Sequence, residues 1–328
     1  MPASASFVVA AILAITAVHG QAPTVHTAPS ATVTLSANVT SLAALNGTSL
    51  VVAGLADGQV AVWNSREAGT AIMLKPHAAR VLAVGSTTDG REVWSFAVDG
   101  SLARTPVAPG GRSTSRTIDL GPARTGAAAF STDGSMLVTG AEFGEIRVFD
   151  TSSGALRHRL RGHRTELQYV AVRPGSTIVA SASAEADLRL WDTVSGREIA
   201  VVEGDLSLFA LAFSPRDGTL ASGGVDRRLT LRNPTTFKAM REVLLKAPMM
   251  VATLAWSPDG RFIALGDLDD ETLSKGGLQV VDASSRAVVA SLDTGGIPPA
   301  GLAFLGDARV LVGIVGRDLR AWRVDGIK

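Results

Sequence analysis

Five histidines and no cysteine bound the chemistry open to this chain of 328 residues. Without thiols there is no disulfide, thiolate metal site, cysteine nucleophile or C-x-x-C-H haem attachment. The histidines (His19, His26, His77, His158 and His163) are scattered, and no two stand at metal-ligand spacing on one element. Serines are plentiful, but no G-x-S-x-G elbow occurs. One acidic cluster interrupts the pattern. Asp267, Asp269, Asp270 and Glu271 place four carboxylates in five residues, between Gly266 and Gly276. Hard cations favour such oxygens, yet the D-x-[DN]-x-[DN]-G spacing is missing, so a solvated acidic loop is expected. These residues give no catalytic set, no metal site and no cofactor.

The composition is that of a chain of balanced charge. Lys plus Arg number 31 against 30 for Asp plus Glu, a net charge of +1. That balance argues against nucleic acid as a partner. The length suits one large domain with a sizeable core. At the N-terminus, Phe7–Val18 is an apolar run with one threonine. It is too short to span a bilayer comfortably and fits a signal-peptide core, with small residues Val18 and Gly20 preparing cleavage after Gly20. The expected organisation is a signal peptide over 1–20, a flexible lead-in over 21–30, and one domain over 31–328. Export follows from it: secreted or, in a bacterium, periplasmic, with no membrane span left after cleavage.

The elements that must position any site show themselves by period. Turn glycines recur at Gly47, Gly90, Gly134, Gly175, Gly218, Gly260 and Gly306. A second landmark recurs at Trp63, Thr105, Phe149, Trp191, Arg232, Val281 and Trp322. Both series count seven repeats of about 40–45 residues, with one wider gap at the acidic cluster. Between the landmarks lie short strand-like runs, Leu50–Ala53, Val60–Trp63 and Leu188–Trp191 among them, divided by Asp-Gly and Ser-Pro-Asp-Gly turns.

The stretch Gly162–Asp192 opens on Gly-His and closes on Trp-Asp. It resembles a WD40 repeat, and the likeness extends over roughly 31–328, strongest in repeat four and weakest in repeats two and seven. The resemblance implies an all-β seven-bladed propeller of four-stranded antiparallel blades. The last blade lacks its outermost strand, and 31–36 is expected to supply it and close the ring. The family's His–Ser/Thr–Asp–Trp network maps in blade four onto His163, Ser181 or Ser183, Glu185 in the Asp position, and Trp191. In blade one Asp57 and Trp63 match, without a histidine. Blades two and five keep Asp99 and Asp226, with Thr105 and Arg232 replacing Trp. These residues are read as structural.

In this family the narrow face of the ring binds partners. Register places Asn38, Arg80, Arg124, Glu166, Ser207, Met250 and Pro298 on that face, just before each innermost strand. A basic sector at Arg80 and Arg124 should face the acidic insert of blade six across the pore. The expected function is a monomeric, non-catalytic scaffold for a protein partner. Two other readings remain open: an accessory subunit of an exported redox complex or a small-ligand binder, and a lactonase-like or other hydrolytic enzyme using pore carboxylates.

Overall fold

The protein is described by a computed structural model covering residues 26–324, apart from 46, 68, 108–114, 124–125, 186, 203–207, 246–248, 270 and 307. The expected signal peptide, Arg124, Ser207 and Asp270 lie outside the described residues. Among those described, the structure is seven sheets, antiparallel but for one short parallel strand added to the sixth, and one short 3-10 turn at Glu142–Gly144. No helix among them is long and apolar enough to cross a membrane.

Blades one to six are each a meander of four strands from inside to outside. In blade four these are Leu167–Val172, Ile178–Ser183, Leu188–Asp192 and Arg197–Val202. The innermost strand of each blade contacts that of the next, and Gly301–Phe304 of blade seven returns to Val39–Ala44 of blade one. The ring is therefore closed. Ala31–Thr34 pairs with Asp318–Arg323 and becomes the outermost strand of blade seven, as the sequence led us to expect. The join is reinforced by Ser30 and Leu35, whose amides donate to the carbonyls of Ala321 and Arg317. The lead-in also contributes: His26–Thr27 runs parallel to the outer strand of blade six as a fifth strand.

The core is divided among the blade interfaces, because each sheet can bury its faces only against its two neighbours. Seven apolar clusters occupy the seven interfaces. The landmark tryptophans pack backward: Trp191 against blade three, Trp322 against blade six, and Trp63 against blade seven and the closing strand. This explains why a tryptophan stands at the landmark position in blades one, four and seven. Six of the seven turn glycines hold positive φ, as their turns require. In blade seven the left-handed position is Ala308, with φ 57, and not Gly306.

Close approach of blades also demands missing side chains. A Cβ on Gly54 would lie 2.4 Å from Ser41 Oγ and 2.5 Å from Val81 Cγ1 of blade two. The Gly54→Ala variant should therefore lose about 1–3 kcal/mol by overpacking. Denaturant unfolding checks this, and an unchanged midpoint would contradict the packing described.

Candidate binding face

Asn38, Arg80 and Glu166 occupy one equivalent position. Their carbonyls accept the amides of Ala56, Val98 and Ala184, each at the turn between second and third strands of the same blade. The inter-blade loops and these turns thus share one end of the ring, the narrow face of the sequence expectation. All three side chains are exposed. Two other expected positions differ. Met250 is buried, because the first hairpin of blade six is longer and pairs Met250 with Leu268. Pro298 is half-buried and lies under the blade-six insert, where a Cβ on Gly276 would meet its ring at 2.7 Å.

The insert is not the solvated acidic sector expected. Asp267 is buried at the end of its strand, accepting Gly277 N at 2.5 Å and Gln279 Nε2 at 2.8 Å. Burial pushes its carboxyl above the usual range against those two bonds. Asp269 caps its own turn, accepting the amides of Glu271 and Thr272. Glu271 is exposed. Two of the carboxylates thus hold the loop in shape, and no group of three or more His, Cys, Asp or Glu among the described residues is arranged to hold a metal.

In blade four the acid of the polar network is Asp187, and Glu185 is an exposed turn residue. Trp191 Nε1 donates to Ser181 Oγ at 2.8 Å, and Ser181 lies 2.7 Å from His163 Nε2. His163 Nδ1 meets Asp187 Oδ1 at 2.8 Å, while Ser183 also donates to that carboxylate. Arg189 completes the chain, bridging Asp187 and Glu198. The partners assign the tautomer: Nδ1–H donates to the carboxylate, and Nε2 accepts the serine proton. Desolvation lowers the His163 pKa, outweighing the pull of Asp187. Burial works against the Asp187 charge, but Ser183, Arg189 and His163 hold its pKa below the usual range.

Blade two carries a variant that the sequence reading passed over. His77 is buried, with Nε2 2.8 Å from Ser95 Oγ and Nδ1 2.5 Å from Ser101 Oγ. Ser101 in turn donates to Asp99 at 2.6 Å. The serine stands where blade four has Asp187 and relays to an acid one step further out. The signal was available: His77–Ser95 and His163–Ser181 share one spacing. Desolvation lowers the His77 pKa as well, against the raising effect of Asp99.

In blades one and five the expected network residues serve turns. Asp57 accepts the backbone and side-chain amides of Gln59, and Asp226 accepts Arg228 N. Asp57 does not reach Trp63. Among the described residues the buried Trp63 Nε1 has no hydrogen-bond partner, because Ala53 stands where blade four has Ser181 and buried Leu35 where it has His163.

What the sequence did not mark is apolar. Phe143 projects from the second-to-third-strand turn of blade three with 85% of its surface exposed. Its backbone is left-handed, φ 57 and ψ 31, an unfavourable state for an aromatic residue. The turn rests on the loop into blade four, where a Cβ on Gly144 would strike Thr165 O at 2.6 Å. Arg161 and Arg164 of that loop are exposed, and Arg161 pairs with Glu145 at the end of the turn at 3.1 Å. Leu273, 62% exposed and also left-handed, projects from the blade-six insert on the same face.

Fold and network together define a seven-bladed β-propeller with a WD-repeat blade. Residues 154–192 match the family model described as WD domain, G-beta repeat, a span that runs from the outer strand of blade three through the third strand of blade four. The chain is 27% identical over 174 residues to the periodic tryptophan protein 2 homolog of Caenorhabditis elegans, covering 53% of this chain and 19% of that protein. It is 25% identical over 244 residues to pre-mRNA-processing factor 19 homolog 2 of Arabidopsis thaliana, covering 71% of this chain and 45% of that one. With the small ribosomal subunit protein RACK1y of Oryza sativa it shares 25% over 138 residues, 40% and 41% of the two chains. The matches thus span less than half of each of these relatives.

Two outcomes follow from the networks. Ala53→Ser should give Trp63 an acceptor and add roughly 0.5–1.5 kcal/mol of stability; a loss on unfolding measurements would contradict that geometry. Both buried histidines titrate lower in the fold than in the unfolded chain, whose value is about 6.5. The fold then binds fewer protons, so this contribution is whole above that pH and is lost as pH falls below it. Unfolding at pH 7.5 and 5.0 should show the loss, and His77→Gln should diminish it; equal sensitivity of variant and parent would contradict the assignment.

Proposed function

We propose that the protein is a non-catalytic scaffold that holds a protein partner on its narrow face. The observation that carries this reading is Phe143. An aromatic side chain held out in water from a left-handed turn is disfavoured twice in the free protein, by exposure and by backbone conformation. Burial in a partner's apolar pocket would relieve the first penalty and make use of the second. Arg161, which pairs with Glu145 at the end of the same turn, and the exposed Arg164 supply the polar surround that such anchors have, and the pocket's rim would carry carboxylates. The rice relative's name places it in a ribosomal subunit, a multi-protein assembly, in keeping with a platform role. Export, and with it a periplasmic or extracellular partner, rests on the apolar run Phe7–Val18 and belongs to the same proposal.

Site-specific photocrosslinking in the native host tests it, with a photoreactive phenylalanine analogue placed at position 143 and, separately, at Val194 on the opposite face. A discrete crosslinked partner from position 143 alone is expected, and its co-purification should fall at least about tenfold in Phe143→Asp, the loss of one anchor. Equal labelling from both positions, or co-purification unaffected by Phe143→Asp, would overturn the narrow-face assignment.

A further inference from the structure

The opposite, wide face is built from the turns between first and second strands and between third and outer strands. There, blades five and six leave a groove of about 670 Å³. Three arginines line it, each delivered by a different turn or strand. Arg216 sits in the Ser214-Pro215-Arg216-Asp217-Gly218 turn, whose glycine has φ 73. Arg261 follows the equivalent glycine of blade six and lies over the Phe262 ring, 4.6 Å from its centroid. Arg241 reaches from the outer strand of blade five to the carbonyls of Ala283 at 3.3 Å and Ser284 at 3.4 Å.

The charges in the groove are unbalanced. Arg261 has a carboxylate within reach, Asp282 at 3.5 Å. Among the described residues, neither Arg216 nor Arg241 forms an ion pair with a carboxylate. Among the described residues that line the groove, Asp217 is the acidic one, and it is occupied by its own turn, accepting Thr219 N at 3.0 Å. The groove also has a fixed apolar surface. Trp256 is half-buried there, its Nε1 tied to the Ala212 carbonyl at 3.0 Å, and Met240 is 47% exposed at the rim.

We propose that this groove binds an acidic peptide segment, with its carboxylates on Arg216, Arg241 and Arg261 and one apolar side chain against Trp256 and Met240. Guanidinium groups match carboxylates in geometry as well as in charge. Trp256 and Met240 together give a place to an aliphatic side chain, which a free inorganic anion would leave unused. A nucleic-acid strand is the weaker fit. It asks for a run of stacking aromatics along a basic track, and this groove has one tryptophan in a chain of net charge +1. The site is independent of the narrow face and would let one propeller hold two partners at once.

The test uses the whole protein and three fluorescein-labelled probes, read by anisotropy at low salt. These are the peptide Glu-Asp-Leu-Glu-Asp, its amide counterpart Gln-Asn-Leu-Gln-Asn, and an oligothymidine of similar length. Saturable binding of the acidic peptide is expected, weakening with salt, and at least about tenfold weaker for the amide peptide. The double variant Arg216→Glu/Arg241→Glu should lose at least about tenfold in affinity, as two attractive charges become repulsive. Arg91→Glu, an exposed site on a blade-two turn of the same face, should leave binding unchanged, and so should Phe143→Asp. Circular dichroism and thermal unfolding confirm that the variants are folded. Absence of binding to the acidic peptide, undiminished binding by the folded double variant, or equal affinity for oligothymidine would each overturn the proposal.

Discussion

Everything in this molecule hangs on four residues of backbone pairing between Ala31–Thr34 and the strand Asp318–Arg323. A linear array of sheets has two terminal faces that must be covered by something; a ring has none. The pairing turns the array into a ring by making the first residues of the domain part of its last blade. It also buries Ala31, Val33 and Leu35 in the interface that holds Trp63 and Val312. The outward side of the strand is tied as well, with Thr34 donating to Asp318 at 2.7 Å and Arg317 donating to the Ser36 carbonyl. Lose that join and blades seven and one would each expose an apolar face, and the edge of Asp318–Arg323 would be open to other chains.

Within the closed ring, the blades solve one packing problem in different ways. In blades one, four and seven a third-strand tryptophan packs against the blade before it. Blade four does so with a hydrogen-bonded tryptophan whose donor passes through Ser181 and His163 to Asp187. Blade seven sends the Trp322 donor to the Asp293 carbonyl instead. Blade one gives the Trp63 donor no partner among the described residues, a cost of about 1–3 kcal/mol carried by the apolar packing around it. Because the scaffold is held by these repeated layers, its two ends are free to differ. One displays Phe143 and exposed arginines; the other displays the groove between blades five and six.

The fold was legible because period and turn chemistry are local. Glycines at positive φ and a bulky residue once per repeat can be counted without knowing what they touch. The blade count, the strand order and the closing strand all follow from that count. What was hidden depends on small shifts of register and on exposure. Glu185 and Asp187 lie two residues apart in one turn, and only the fold shows which of them turns to His163. Met250 was misplaced because the longer first hairpin of blade six buries a position that is exposed in blades one, two and four. Phe143 gave no warning, since nothing in a Glu-Phe-Gly run says that the phenylalanine stands in water. The arginine groove joins residues from two blades and has no linear signature.

The direct test of the closed ring uses the absence of natural cysteine. Thr32 and Arg320 are register partners on the outward side of the closing pair. Antiparallel partners have Cα atoms about 4.5–5.5 Å apart, within disulfide reach. The measurement is the redox state and unfolding of the Thr32→Cys/Arg320→Cys variant under mild oxidation. A closed ring gives quantitative intramolecular disulfide formation in the folded protein and a gain of roughly 2–4 kcal/mol over the reduced form. Thiols that stay reduced in the native protein, or that link only between molecules, would contradict it.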